Sequence, residues 1–364
     1  MREKIEYCIK TVSAILIAVI VACLFPVSSL ATDAGTWEAR APMSAARSTF
    51  QTEVIDGKIY AIGGNNNYGG SAVTEVYDPT TNAWTTLAPM LQARVGAQSK
   101  VIGEKIYVFS GGTTQGDKSC EVYDTSTNTW TNIAAMLTYR YSVKAELVNG
   151  KIYVVGGYSS NGNYSSTVDV YDPTANKWFN VASMANSRAQ CGTAEIDGKL
   201  YVFGGISGHT TEAQRTEMYD PSSNTWTTKA SMPVYLSYLR SKVVDGKIYV
   251  VGFGNDKTAM YIYNPESNVW TSGPSMPKST FFEIEAFNGK IYTIGGSASS
   301  VEAYNIAENK WEDIGSLLVS RNQLQVQIVN GTIYAIGGSN SGYLSSMEAY
   351  TVNSAPSAPA LTAT

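Results

Sequence analysis

The sequence predicts an all-β fold, a β-propeller of seven blades with four antiparallel strands each, on three observations. Seven tryptophans, Trp37, Trp84, Trp130, Trp178, Trp226, Trp270 and Trp311, recur at spacings of 41 to 48 residues and are all the tryptophans of the 364-residue chain. A period of that size marks propellers or solenoids. Between tryptophans the same residues return in order: Met or Leu, usually Arg, an alternating run, a turn, an Ile/Leu-Tyr run, paired glycines and Tyr-Asp-Pro. The apolar runs are strand-length, rich in Val, Ile and Tyr, and bounded by turn residues.

The first strand of each copy follows an arginine. Arg47, Arg94, Arg140, Arg188 and Arg321 each precede the repeat tyrosine by thirteen residues, and Leu236 and Ser279 stand in that register in copies 5 and 6. Stepping by two from the arginines gives a polar row (Thr49, Gln51, Glu53; Gln98, Lys100; Ser142, Lys144, Glu146; Gln323, Gln325, Gln327). The intervening row is apolar (Phe50, Val54; Ala97, Val101; Val143, Leu147; Leu324, Ile328). Period-two alternation gives this strand one wet and one buried face. A hairpin follows at Asp56-Gly57, Asn149-Gly150, Asp197-Gly198, Asp245-Gly246, Asn288-Gly289 and Asn330-Gly331, with Gly103-Glu104 in copy 2. Asn, Asp and Gly tolerate the positive φ such two-residue turns require. The second strand carries Tyr60, Tyr107, Tyr153, Tyr201, Tyr249, Tyr292 and Tyr334 and closes on paired glycines such as Gly63-Gly64 and Gly156-Gly157. Tyr77, Tyr123, Tyr171, Tyr219, Tyr263, Tyr304 and Tyr350 lie on the third strand, and the tryptophan begins the fourth. These fourteen tyrosines pack between blades. Trp37 belongs to a fourth strand without its first three, and the last copy ends at Tyr350 without a tryptophan. The N-terminal strand is therefore expected to complete the seventh blade, protecting the sheet edge.

These in-order copies, over roughly residues 36 to 351, resemble the kelch repeat family. The resemblance implies a seven-bladed kelch-type β-propeller whose first strands are innermost, with the polar rows lining a central channel and Arg47, Arg94, Arg140, Arg188 and Arg321 near its mouth. In kelch domains of the ubiquitin-ligase adaptor class, arginines at this place receive acidic peptides. The bland alternative has them bonding backbone carbonyls and Glu53, Glu146 or Glu285 between blades. Some extracellular kelch proteins are copper radical oxidases, whose site needs more than one histidine; this chain has one, His209. Other secreted kelch propellers act on sialic acids as mutarotases or epimerases, for which Glu53, Glu146, Glu283 or Glu285 could supply a carboxylate. Lys100 and Lys242 stand beside these acids and are expected to pair with them instead.

Nine tyrosines outside the repeat pattern point to function. Tyr68, Tyr158, Tyr164 and Tyr343 lie between strands two and three, and Tyr139, Tyr141, Tyr235 and Tyr238 between strand four and the next first strand. In an antiparallel meander those loops share one face; Tyr261 alone is unplaced. Loops such as Asn65 to Gly70 and Tyr158 to Tyr164 combine Tyr, Asn, Ser and Gly, as adaptable recognition loops do. Arg47, Arg94, Arg140, Arg188 and Arg321 with Tyr68, Tyr139, Tyr158, Tyr164, Tyr235 and Tyr343 are thus the candidate ligand-binding residues. The expected function is non-enzymatic recognition of a protein or glycan, anionic by preference, by a monomeric propeller without metal or other cofactor.

The ends bound the rest. Residues 1–31 read as a secretory signal peptide, with Arg2, Lys4 and Lys10 before an apolar run from Val12 to Phe25 and cleavage after Ala31. The run is too short for a membrane span. A lipobox reading of Ile20 to Cys23, anchoring the chain at Cys23, is the alternative. Either makes the protein secreted or cell-surface. Residues 32–352 form the propeller, and 353–364, rich in Pro, Ala, Ser and Thr, form a linker whose last ten residues resemble the opening of a fibronectin type III domain. Cleavage moves the net charge from -4 to -5, and without a basic cluster the chain is no nucleic-acid binder. Cys120 and Cys191 fall on apolar strand positions as small buried hydrophobes. Gly111 to Ser119 comes within one residue of a phosphate-loop pattern, but no helix follows to complete it.

Overall fold

The computed structural model describes residues 35–112, 117–208, 212–254, 257–277, 282–296 and 299–352. The leader, the Cys23 anchor, His209, Ser279, residues 113–116 of the glycine-rich stretch and the C-terminal linker lie outside the described residues.

Seven sheets of four antiparallel strands follow one another, each a simple meander. Blade 1 comprises Gln51–Ile55, Lys58–Ile62, Thr74–Asp78 and Ala83–Thr86. Blade 2 opens with Gln98–Ile102, blade 3 with Lys144–Val148, blade 4 with Gly192–Ile196 and blade 5 with Ser237–Val244. Blade 6 opens with Glu283–Phe287. Blade 7 is built from Gln325–Val329, Thr332–Ile336 and Met347–Thr351, and its fourth strand is Glu38–Arg40. Glu38 pairs with Ala349 and Arg40 with Met347, so the N-terminal strand closes the ring as expected. First strands contact one another in sequence, and that of blade 1 returns to that of blade 7. Among the described residues the helical content is one 3-10 turn, Glu212–Gln214, and no helix is long and apolar enough to cross a membrane.

Core packing lies between blades rather than within one. Phe50, Ile59 and Tyr77 of blade 1 meet Tyr334, Ile336 and Met347 of blade 7, and a comparable cluster fills each of the other six interfaces. Cys120 and Cys191 are buried free thiols inside two of them. The hairpin turns take the expected geometry, with φ of 49° at Asp56 and 70° at Gly57. Gly156 has φ 59° and a side chain there would sit 2.3 Å from the Arg188 carbonyl of the next blade, which is why this strand end requires glycine.

A latch joins each of blades 1 to 5 to the one before it, and blade 6 carries part of it. Asn128, held at φ 53°, accepts the Tyr123 hydroxyl of its own blade at 2.7 Å and the Ala88 N–H of the preceding blade at 2.9 Å. The Ala88 carbonyl in turn accepts the Trp130 indole N–H at 3.0 Å. The same bonds recur at Asn82, Asn176, Asn224 and Asn268 with Ala41, Ala134, Ala182 and Ala230. In blade 6 the corresponding residue is Pro274, which accepts from Trp311 but has no N–H for Asn309. Every repeat tryptophan but Trp37 therefore anchors through its polar edge as well as its ring.

Candidate functional site

Structure and sequence part company at the arginines. Arg47, Arg94, Arg140, Arg188 and Arg321 are at most 2% exposed and lie inside their own blades rather than at the channel mouth. Arg47 donates to the Gly63 and Val73 carbonyls at 3.2 and 2.8 Å and to Glu75 at 2.5 Å. Arg94 pairs with Glu121 at 2.9 Å, Arg140 with Asp169 at 2.7 Å, Arg188 with Glu217 at 2.7 Å and Arg321 with Glu348 at 2.5 Å. The acids stand two residues before the third-strand tyrosine. Their remaining oxygens reach further: Glu75 accepts the Ser44 N–H and Glu217 that of Ala185, at 2.7 Å each. Each pair thus pins the loop entering the blade to the ends of strands two and three.

The reason lies at the residue two after each arginine. Thr49, Gly96, Ser142, Gln190 and Gln323 have φ between 50° and 63°, a left-handed step that rotates the chain. Alternation read backwards through that step assigns the arginine to the wrong face. Bonds to backbone carbonyls were the alternative expected from sequence, but the acids are third-strand residues and not Glu53, Glu146 or Glu285. Comparing repeats carries part of the signal: blade 5, with Leu236 for the arginine, has Tyr261 for the acid, while blade 6, with Ser279 there, keeps Glu302. Leu236 and Tyr261 pack against one interface cluster, which places the one tyrosine the sequence left unassigned.

Beyond the left-handed step the wet row does line the channel, as two stacked rings. The inner ring is opposite the second-strand tyrosines: Glu53, Lys100, Glu146, Ala194, Lys242, Glu285 and Gln327. Two residues earlier, nearer the loops that follow strand four, stand Gln51, Gln98, Lys144, Gly192, Arg240, Glu283 and Gln325. Cations pair with acids of the next blade. Arg240 holds Glu283 through two bonds of 2.6 and 2.5 Å, Lys242 holds Glu285 at 2.7 Å, and Lys100 lies 3.6 Å from Glu146. Small residues between the rings bond across two other seams: Ser99 donates to Glu53 at 2.6 Å and Thr193 to Glu146 at 2.9 Å. Burial pushes the Glu53 carboxyl up, with Ser99 and then Lys100 opposing. Glu285 is raised for the same reason, against the pull of Lys242. The pairing of Lys100 and Lys242 with channel acids is the one expected, and together with the Arg240–Glu283 pair it ties up three of the four acids that could supply a carboxylate for acid–base chemistry.

The tyrosines do converge. Tyr141, ahead of blade 3, stacks on Tyr158 with centroids 5.1 Å apart, and Tyr158 contacts Tyr164 at 5.2 Å, while Tyr139 flanks Tyr141 at 6.1 Å. A short ladder pairing Arg140-Tyr141 with Tyr158-Ser159 holds the stack, and Tyr158 bridges to Tyr164 across its loop. Burial, then the hydrogen-bonded Tyr164, raises the Tyr158 phenol; Tyr141 and Tyr235 add to this. The two loop classes thus share one face. On its far side the Asn65 amide donates to the Tyr343 hydroxyl at 2.8 Å. Tyr68 is 98% exposed at its loop tip and Tyr238 is also exposed. Tyr68 and Tyr343 stand apart from the stack.

The sequence matches the family described as the KLHDC2/KLHL20/DRC7 Kelch-repeats domain over residues 49–252 and 96–296, and the Kelch motif over 279–318 and 320–353. No curated protein matches it. Among solved structures, a fungal alcohol oxidase of the AA5 family in complex with copper is 16% identical, with a TM-score of 0.70 over 87% of this chain and 76% of the oxidase. The structure of YjhT is 15% identical, with a TM-score of 0.57 over 75% of this chain and 99% of YjhT. At these identities the likeness is one of fold. Among the described residues no three His, Cys, Asp or Glu side chains gather as metal ligands.

Proposed function

Because the chain belongs to the kelch-repeat β-propeller family, we propose that it is a recognition module that binds a protein or glycan through the tyrosine face. Kelch propellers commonly serve as protein-binding modules. The observation carrying the reading is the stack of Tyr139, Tyr141, Tyr158 and Tyr164, built from two loop classes and left at the surface. Tyrosine offers large amphipathic area at low entropic cost, and Ser, Asn and Gly around it supply adaptable hydrogen bonds. The buried arginines no longer argue for an anionic partner. The leader-like residues 1–31 support a secreted or cell-surface setting.

The test is a screen of residues 32–352 on peptide and glycan arrays, with the Tyr141→Ala/Tyr158→Ala double variant alongside. Loss of capture by at least about tenfold at an unchanged melting temperature is the expected result. Capture that survives both substitutions would move recognition elsewhere.

A further inference from the structure

We infer that the channel holds a second, separate binding site, a seat for one small organic carboxylate at Lys144 beside blade 4. Around the channel, cations pair with an acid in the next blade: Lys100 with Glu146, Arg240 with Glu283, Lys242 with Glu285. Lys144 obeys the same geometry, but the residue in its register on blade 4 is Gly192. Among the described residues its ammonium has no ion pair and no hydrogen bond.

The vacancy is built in. A side chain at Gly192 would meet the Phe203 ring at 2.1 Å and Leu239 at 2.7 Å, so no residue bearing an acid fits there. The gap opens into a channel cavity of about 230 Å³ bordered by Lys144, Gly192, Arg240, Gln98 and Gln325 and by the acids Glu146, Glu283 and Glu285, each already paired with a cation. Arg240 is committed to Glu283 by two bonds. Glu146 and Glu285 are held by Lys100 and Lys242, so Lys144 is the lining cation left without a paired acid. Burial depresses that ammonium, Arg240 adds to the effect, and Glu283 only partly opposes it. A carboxylate in the gap would relieve this cost as Glu146, Glu283 and Glu285 do for the other cations. The volume lies below the usual range for drug-sized ligands, about 300–1,000 Å³, so the occupant is small. The Gln98 and Gln325 amides can donate to or accept from its polar substituents.

The site and the tyrosine face are independent, and either can fail alone. The experiment uses protein with 13C-dimethylated lysines, the Lys144 signal being assigned by its absence from Lys144→Arg. Sodium acetate and sodium gluconate are titrated in, with sorbitol as the neutral control. The expected result is a saturable shift of the Lys144 signal by an anion and none by sorbitol. Affinity should fall about tenfold or more in Lys144→Gln and stay within a few-fold in Lys144→Arg, read by calorimetry on unmodified protein. A Lys144 signal that neither anion moves overturns the proposal, as does undiminished binding by a folded Lys144→Gln; if that variant does not fold, the titration decides.

Discussion

At the scale of single residues, the arginine–acid pairs show how a recurring charge can be structural. Arg94 and Glu121 are both buried, and removing one partner leaves an uncompensated charge. Arg94→Ala should therefore cost about 3–5 kcal/mol, seen as a lower midpoint in urea. Blade 5 shows the way out, since Leu236 and Tyr261 occupy the same two places without charge. Arg94→Leu/Glu121→Tyr should recover part of the loss of Arg94→Leu alone, with a coupling of about 0.5–3 kcal/mol in a double-mutant cycle. Additive losses would mean that the pair does not act as a unit. The spacing of these arginines was plain in the sequence, but their burial was not, because strand alternation does not survive a left-handed residue. Glu53 gives a prediction of opposite sign. Its folded pKa is raised, so its ionised form is the disfavoured one, and the penalty grows as pH rises through that pKa. Glu53→Gln keeps an acceptor for Ser99 and should melt no lower than the parent at pH 7, and higher if the penalty dominates.

At the scale of the element, the four strands, hairpins and glycines were legible because each has a local signature, whereas the latch was not. Its asparagines lie in turns where Asn needs no further explanation, and their second bond goes to a residue about forty positions earlier. The latch predicts unequal costs for equal substitutions. Asn128→Ala removes two hydrogen bonds and should lower stability by about 1–3 kcal/mol, while Asn309→Ala, which loses only the Tyr304 bond, should cost measurably less in the same melts. The turns after the third strand predict a pH dependence. Thr80 and then Lys58 hold Asp78 at about 2, below its ordinary 3.8, and Ser126 and then Lys105 do the same for Asp124. Because these pKa values are depressed on folding, their stabilisation is present above the unfolded value and lost as pH falls through the folded one, roughly from pH 4 to 2. Asp124→Asn, which retains the turn's acceptor, should flatten that acid limb of the melting curve.

At the scale of the molecule, closure of the ring followed from counting strands, and the shared face of the tyrosine loops followed from the meander. What the sequence withheld was the asymmetry of the channel, since Gly192 matters only beside its hairpin partner Phe203 and beside Lys144 and Leu239, each one repeat away in the chain. Closure by a strand of three residues concentrates the integrity of the ring in one seam. Deleting residues 35–42 should expose the edge of Met347–Thr351 and produce concentration-dependent light scattering at temperatures where the parent stays monodisperse. The seam also has a mechanical consequence. Glu38 begins its strand opposite Ala349, close to where Met347–Thr351 ends, so the chain enters and leaves the propeller at the same end of one strand pair, on the side away from the tyrosines. Tension drawn between Gly35 and Val352 would not shear that pair but peel it, one rung after another, and the ring would open at a force set by single hydrogen bonds rather than by the ladder as a whole.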